Sequence, residues 1–328
     1  MRVCGTVGYS VALAILNLTG TVLRILPAGF SRATGWLLGM IWYYVFRVRR
    51  TVVFDNLEKV FPGQWRTHPR IARAFYRNFC TNIVEFIGTH PNASIVRDVS
   101  VEGMEHFHRA ESRGRGVIVV TAHLGNFDLL ACNRAMDGIP LGLVSKTFRQ
   151  GAVNDFWMTR RKQLGVRVFE EGAPPIEVVR WLRAGKVLGL VVDQRLSPTR
   201  GGIPVPFFGY KVWTSPAAAR LAMVSGAALL PVMIHRHSGG HHRVVIEPEI
   251  IWNARDGHVG HHVSEDRKNE ADIHDLMTRI SRIVERWIRM YPDEWMWIHR
   301  RFKNAKKIRP AFGSTDAPAE VFLKKTIA

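Results

Sequence analysis

Across residues 116–246, apolar runs of strand length alternate with stretches of helical period. That alternation leaves few architectures open. Residues 117–122, 141–145, 166–169, 187–192, 228–234 and 243–246 read as strands. Residues 127–136, 153–164, 174–184 and 216–225 read as the helices among them. Strands separated by helices of this length predict an α/β fold, with a mainly parallel sheet covered by helices on both faces. Apolar positions at helical spacing predict an earlier helix over 70–88, with Gly88 as its C-cap, and a last one over 273–290. In such sheets, active-site groups gather beyond the carboxyl ends of the strands.

One stretch combines that position with suitable chemistry. Val117 to Val120 are β-branched and apolar, as a strand buried on both faces requires. His123 comes where the strand should end, Gly125 and Asn126 are turn residues, and Asp128 opens the next helix. Spacing alone does not select this pair. His106/Glu111, His123/Asp128, His242/Glu247 and His261/Asp266 all place an acid five residues after a histidine. Only His123 has the strand–turn–helix setting. On one continuous helix such residues diverge by about 140°. His123 and Asp128 can therefore meet only if the turn at Gly125 folds His123 back.

Asp193-Gln194 ends the run 187–192 and occupies the same kind of position. A cap or a loop salt bridge is the alternative, and the unusual loop that follows favours a site. The loop that follows, 195–210, is apolar and rich in Pro and Gly, so it can line an acyl-chain site or simply pack in the core. Arg160 and Arg161 end a helix about 100° apart, so one can face the cleft while the other is solvated. Arginine there can bind phosphate with both forks. The histidines at 235, 237, 241, 242, 258, 261 and 262 lie in loosely spaced, glycine-rich segments without HExxH, and no metal is expected there. GxSxG, Walker and dinucleotide motifs are absent too, so no cofactor is expected. The three cysteines, without CxxC, fit a reducing compartment.

The chain carries a formal net charge of +19, which calls for an anionic partner. No Asp or Glu precedes Asp55. Residues 3–23 are apolar over a length that can span a bilayer, a second apolar run covers 35–46, and Arg47, Arg49 and Arg50 follow. Trp36, Trp42, Tyr43 and Tyr44 suit a lipid–water interface. The reading is an N-terminal membrane helix and interfacial segment over 1–50, a catalytic domain over 51–307 on the cytoplasmic side, and a polar tail over 308–328. A signal peptide and a buried amphipathic hairpin are the other readings of the N-terminus. A nucleic-acid-binding protein would explain the charge, but not the acid-free apolar N-terminus or the placement of His123 and Asp193. No nucleic acid is therefore expected among the partners.

Read together, these stretches resemble the bacterial lipid A late acyltransferases (lauroyl and myristoyl acyltransferases), within the glycerophosphate-type acyltransferases that carry a His-x4-Asp or His-x4-Glu motif. Asn56-Leu57 with Phe61-Pro62, the segment 78–85, His123-Leu-Gly-Asn-Phe-Asp128, Asp193-Gln194, Val205-Pro-Phe-Phe-Gly209 and Tyr291-Pro-Asp-Glu-Trp-Met-Trp-Ile-His-Arg-Arg-Phe-Lys303 carry the resemblance, in the family's order. The resemblance implies a glycerophosphate acyltransferase-like fold in a bacterial inner membrane. It implies transfer of a fatty acyl chain from acyl carrier protein or acyl-CoA to a glycolipid hydroxyl, most simply on a lipid A precursor. His123 would be the general base and Asp128 its orienting acid. Gly125, Asn126, Lys146, Arg160, Asp193 and Gln194 would bind substrate. Asp128 stands where the typical lipid A enzymes have Glu, and Lys146 near where they have Arg. Members that acylate mannosylated phosphoinositides share the scaffold, so the acceptor stays open between the two.

Overall fold

The computed structural model describes residues 2–90, 95, 99–252 and 265–308. Seven strands form the main sheet: β1 (Ser100–Glu102), β2 (Val117–Thr121), β3 (Leu141–Ser145), β4 (Arg167–Glu170), β5 (Val187–Val191), β8 (Ala228–Arg236) and β9 (His242–Ile246). Their order is β1-β9-β8-β2-β5-β3-β4, and β8–β9 is the antiparallel pair in an otherwise parallel sheet. The mainly parallel α/β architecture read from the sequence is the observed one.

The two-residue period of the central strand divides the core. Ile118 and Val120 face a cluster built with helices Pro175–Arg183, Ala217–Ser225 and Glu265–Met290. Val117 faces the other cluster, with helices Met104–Glu111 and Phe127–Met136. Both faces of β2 are thus buried, which explains its unbroken apolar run. The last helix starts at Glu265, earlier than expected, because its first turns are polar and its apolar period begins only at Ile273.

The loop 195–210 differs from the expectation of irregular chain. It enters a hairpin, β6 (Ile203–Phe207) with β7 (Tyr210–Thr214), and β10 (Lys306–Lys307) completes a second, three-stranded sheet. Pro204 and Pro206 argue against a strand, yet β6 is an edge, where a missing N–H breaks no interior ladder. Val205 and Phe207 are buried in the core, with the Phe207 ring against Trp295 and Phe302.

At the N-terminus, helices Arg2–Ile25 and Ala28–Ile41 are followed by a π turn, Trp42–Phe46. The second helix crosses helix His68–Gly88 at very close range. A Cβ on Gly35 would fall 2.3 Å from Thr81 Cα, and one on Gly39 would fall 2.5 Å from the Tyr76 carbonyl oxygen. The Gly-x-x-x-Gly spacing makes that approach possible. Gly8–Ile25 is long and apolar enough to cross a membrane, by length and composition, and most of it is exposed. Residues 309–328, nearly all of the expected tail, and His258, His261 and His262 lie outside the described residues.

Candidate active site

Strands β2 and β5 are neighbours, with Thr121 paired to Val191. Two residues beyond that pair, the chains deliver His123 and Asp193 side by side. His123 Nδ1 is 2.7 Å from Asp193 Oδ1, and the His123 backbone N–H donates to Asp193 Oδ2 at 3.1 Å. Trp295 Nε1–H donates to the same Oδ2 at 2.7 Å. Burial by itself would raise the Asp193 carboxyl, but His123 and these hydrogen bonds hold it below the usual carboxylate range. An ionised carboxylate only accepts, so a ring proton sits on Nδ1, and in the neutral imidazole Nε2 presents a lone pair.

The turn after β2 is locked by the C-terminal segment. Leu124 and Trp295 form an antiparallel bridge. Gly125 N–H donates to the Glu294 carbonyl at 3.0 Å, and Met296 N–H donates to the His123 carbonyl at 2.9 Å. Gly125 has φ +60°, and a Cβ there would lie 2.1 Å from the Ile234 carbonyl oxygen, so a side chain has no room.

The expected contact between Asp128 and His123 is not the one the structure makes. Asp128 Oδ1 accepts from Arg161 Nε at 2.8 Å and from its terminal nitrogen at 2.6 Å, and Asp128 Oδ2 accepts from Trp157 Nε1–H at 3.0 Å. Arg161 also donates to Ser145 Oγ at 2.8 Å. Both ions of the pair are buried. The helix beginning at Phe127 carries Asp128 toward the end of β3, whereas His123 precedes the helix and turns toward β5.

Arg160 points elsewhere as well. Its guanidinium donates to the Thr89 carbonyl at 2.8 Å, near where the N-terminal helix passes at Gly20. Arg161 is the neighbour that faces the cleft, and Arg160 is buried rather than solvated.

Asn126 caps the helix through Oδ1, which accepts from Leu129 N–H at 3.2 Å, while its Nδ2 donates to Glu85 Oε2 at 3.1 Å. Glu85 also accepts from Arg236, at 2.6 and 2.9 Å, and meets His242 Nε2 at 3.0 Å. Burial would raise Glu85, but Arg236 and His242 bring it down to about 2. This buried network holds the turn from behind.

His123, Gly125, Asn126, Asp128, Lys146 and Gln194 all line a cavity of about 810 Å³, within the roughly 300–1,000 Å³ usual for ligand pockets. Its deeper walls are apolar, with Leu130, Ala131, Leu141, Val119 and Gly189 among them. Lys146 stands at the exposed end, its Nζ 3.8 Å from Glu171. The loop 195–210 adds only Arg195 and Leu196 to this wall, because its apolar residues are spent on the core. Among the described residues, no group of three or more His, Cys, Asp or Glu side chains is placed to hold a metal ion. Trp295 and Glu294 were not singled out from the sequence. Their signal was the tryptophan-rich segment 291–303, which carried the resemblance without assigning them roles.

A histidine held by a buried carboxylate, on the wall of a largely apolar cavity, has the geometry to accept a proton from a hydroxyl placed beside a hydrocarbon chain. The chain is similar to known proteins. Residues 7–304 match the model of a family described as bacterial lipid A biosynthesis acyltransferase. A lipid A biosynthesis lauroyltransferase of Escherichia coli (strain K12) is 24% identical over 286 residues, 85% of this chain and 87% of that protein. A phosphatidylinositol mannoside acyltransferase of Mycobacterium tuberculosis (strain ATCC 25618 / H37Rv) is 29% identical over 138 residues, 41% of this chain and 43% of that one. Among solved structures, the 1-acyl-sn-glycerophosphate acyltransferase PlsC of Thermotoga maritima aligns with a TM-score of 0.36 and 14% identity, over 82% of this chain and 100% of that one.

Proposed function

This chain belongs to the bacterial lipid A biosynthesis acyltransferase family, and from that premise we propose that it moves a fatty acyl chain from a thioester of acyl carrier protein or coenzyme A to a hydroxyl of a lipid A precursor. The observation that carries the reading is the His123–Asp193 pair opening onto the apolar cavity. A hydroxyl is a poor nucleophile at neutral pH. His123 Nε2 takes its proton as the oxygen attacks the thioester carbon. Asp193 holds the proton on Nδ1 and stabilises the imidazolium that forms. The nucleophile belongs to the substrate, so no acyl-enzyme is formed. Asp128 acts through Arg161 and Trp157, fixing the cavity wall. The acyl chain lies along Leu130, Ala131 and Leu141, and Lys146 faces the anionic part of a substrate.

The same proposal places the protein on the inner membrane with its catalytic domain in the cytoplasm. Gly8–Ile25 supplies the span. Exposed Trp36, Leu37, Tyr44 and Phe46 sit in the interface, and Arg47 and Arg49 lie against anionic headgroups.

The likeness to mannoside acyltransferases supports a second acceptor, a mannosylated phosphoinositide. Mass spectrometry of total lipids from cells with the gene, without it, and with His123→Ala tests both. A secondary acyl chain on lipid A that disappears in the last two supports the first acceptor. An unchanged lipid A with an altered phosphoglycolipid moves the acceptor. Full complementation by His123→Ala removes the proposed chemistry.

A further inference from the structure

Gln194 occupies the place where the attacking hydroxyl must arrive. Its side-chain Nε2 is 3.2 Å from His123 Nε2. In the neutral imidazole that ring nitrogen carries the lone pair, because Nδ1–H donates to Asp193. The contact is therefore an amide N–H donating to the base. The opposite orientation of the amide would set oxygen against a lone pair.

The backbone around this side chain is fixed. Arg301 donates to the Gln194 carbonyl at 2.8 Å, and Arg195 N–H donates to His299 Nε2 at 2.9 Å. The side chain itself is half-buried and lines the cavity, so it can swing while its Cα stays in place. One donor in the turn after β2, Gly125 N–H, is already taken by the Glu294 carbonyl.

We propose that Gln194 is a catalytic donor with two successive partners: it holds His123 Nε2 until the acceptor hydroxyl displaces it, and then donates that N–H to the thioester carbonyl oxygen as negative charge develops there. The proposal rests on the acyl-transfer reading above. The acceptor oxygen bonds to the thioester carbon while its proton passes to His123 Nε2. The carbonyl π pair moves onto oxygen and meets the Gln194 N–H. Collapse restores the C=O bond and breaks the C–S bond, and the leaving thiolate takes the proton back from His123. Nothing else is consumed.

The test uses the full-length protein with lauroyl-CoA and lauroyl-acyl carrier protein as donors and a lipid A precursor as acceptor. Gln194→Met keeps length and bulk but donates nothing. It is expected to lower kcat by about 10²-fold, the usual effect of losing one oxyanion donor. The acceptor KM should stay level or fall, since the hydroxyl no longer competes for His123. Gln194→Glu sets a carboxylate beside His123 and toward the oxyanion. It should lower kcat at least as far, and it should move the acid limb of kcat/KM to higher pH, because the imidazolium is favoured. A purely structural Gln194 would move the melting temperature and leave kcat of the folded Gln194→Met near the parent's. A kcat for Gln194→Met within about threefold of the parent, or a loss carried wholly by KM, overturns the proposal. If Gln194→Met does not fold, an unshifted acid limb in Gln194→Glu overturns it equally. His123→Ala runs in parallel. If it also keeps transfer, the acyl-transfer reading itself falls; if it is inactive while Gln194→Met is not, only the role of Gln194 falls.

Discussion

His123 meets Asp193 because Thr121 and Val191 are register partners on adjacent parallel strands, and each of the two side chains follows its strand by the same two residues. The five-residue spacing from His123 to Asp128 plays no part in that contact. Asp128 lies in the first turn of the helix that follows, against Arg161.

The two carboxylates therefore make separable predictions. Asp193→Asn keeps the shape but loses the charge that fixes the Nδ1–H tautomer, and kcat should fall by roughly 10²–10⁴-fold with the melting temperature little changed. Asp128→Asn leaves Arg161 buried without its counter-charge, so its main effect should be on stability, about 3–5 kcal/mol. Steady-state kinetics and denaturant unfolding on both variants check this. The assignment reverses if Asp128→Asn is stable and inactive while Asp193→Asn still turns over.

How much of this was legible follows from distance along the chain. The strands and helices of 116–246 are local patterns, and nearly all were readable from periodicity. His123 and Asp193 were each recognisable as strand-end residues. Their pairing was not, because strand order β2-β5 is a property of the sheet and not of any segment. The choice between Arg160 and Arg161 depended on helix rotation, which spacing leaves open. The hairpin at 203–214 was hidden by Pro204 and Pro206, which fit only an edge strand. Trp295 was invisible as a site residue, since its role comes from a contact across 102 positions of sequence.

Gly125→Ala tests the turn. The new Cβ meets the Ile234 carbonyl oxygen, and the backbone must keep φ +60°. Such a substitution costs more than the roughly 0.4–1 kcal/mol that replacing Gly by Ala gains where the backbone allows it. Since His123 lies two residues away, activity should fall with stability. Native-like melting and full turnover in this variant would show that the turn tolerates a rearrangement the structure does not contain.

Ala131→Leu tests the cavity. Ala131 is buried on the cavity wall, in the helix that also carries Asp128. Added carbons there remove room from the hydrocarbon end without touching His123. The variant should prefer shorter acyl thioesters, with kcat on the shortest accepted donor near the parent's. Competition among thioesters of graded chain length, read by product mass, checks it. An unaltered preference would place the acyl chain elsewhere.

Glu294 makes stability fall as pH rises toward about 8. Burial, and then repulsion from Asp293, pushes its carboxyl up to about 8. Unfolded, it titrates near 4.3. Between those values the folded protein holds a proton that the unfolded chain has released, so stability falls as pH rises, by up to about 1.4 kcal/mol per unit. Other groups act below this window. Burial lowers His235, His242 and His299, so their contributions change below about 6.5, where the unfolded imidazoles become charged. Asp193 and Glu85 are held low, and what they contribute is lost only as the solution becomes strongly acidic. From pH 6.5 to 8 the slope therefore belongs chiefly to Glu294. Glu294→Gln retains an oxygen to accept from Arg236 N–H, as Glu294 does at 3.1 Å, and has no proton to lose. Urea midpoints measured at pH 6.5 and 8 should drop for the parent and stay level for Glu294→Gln. Equal drops in the two proteins would mean that the Glu294 carboxyl is already ionised at pH 6.5.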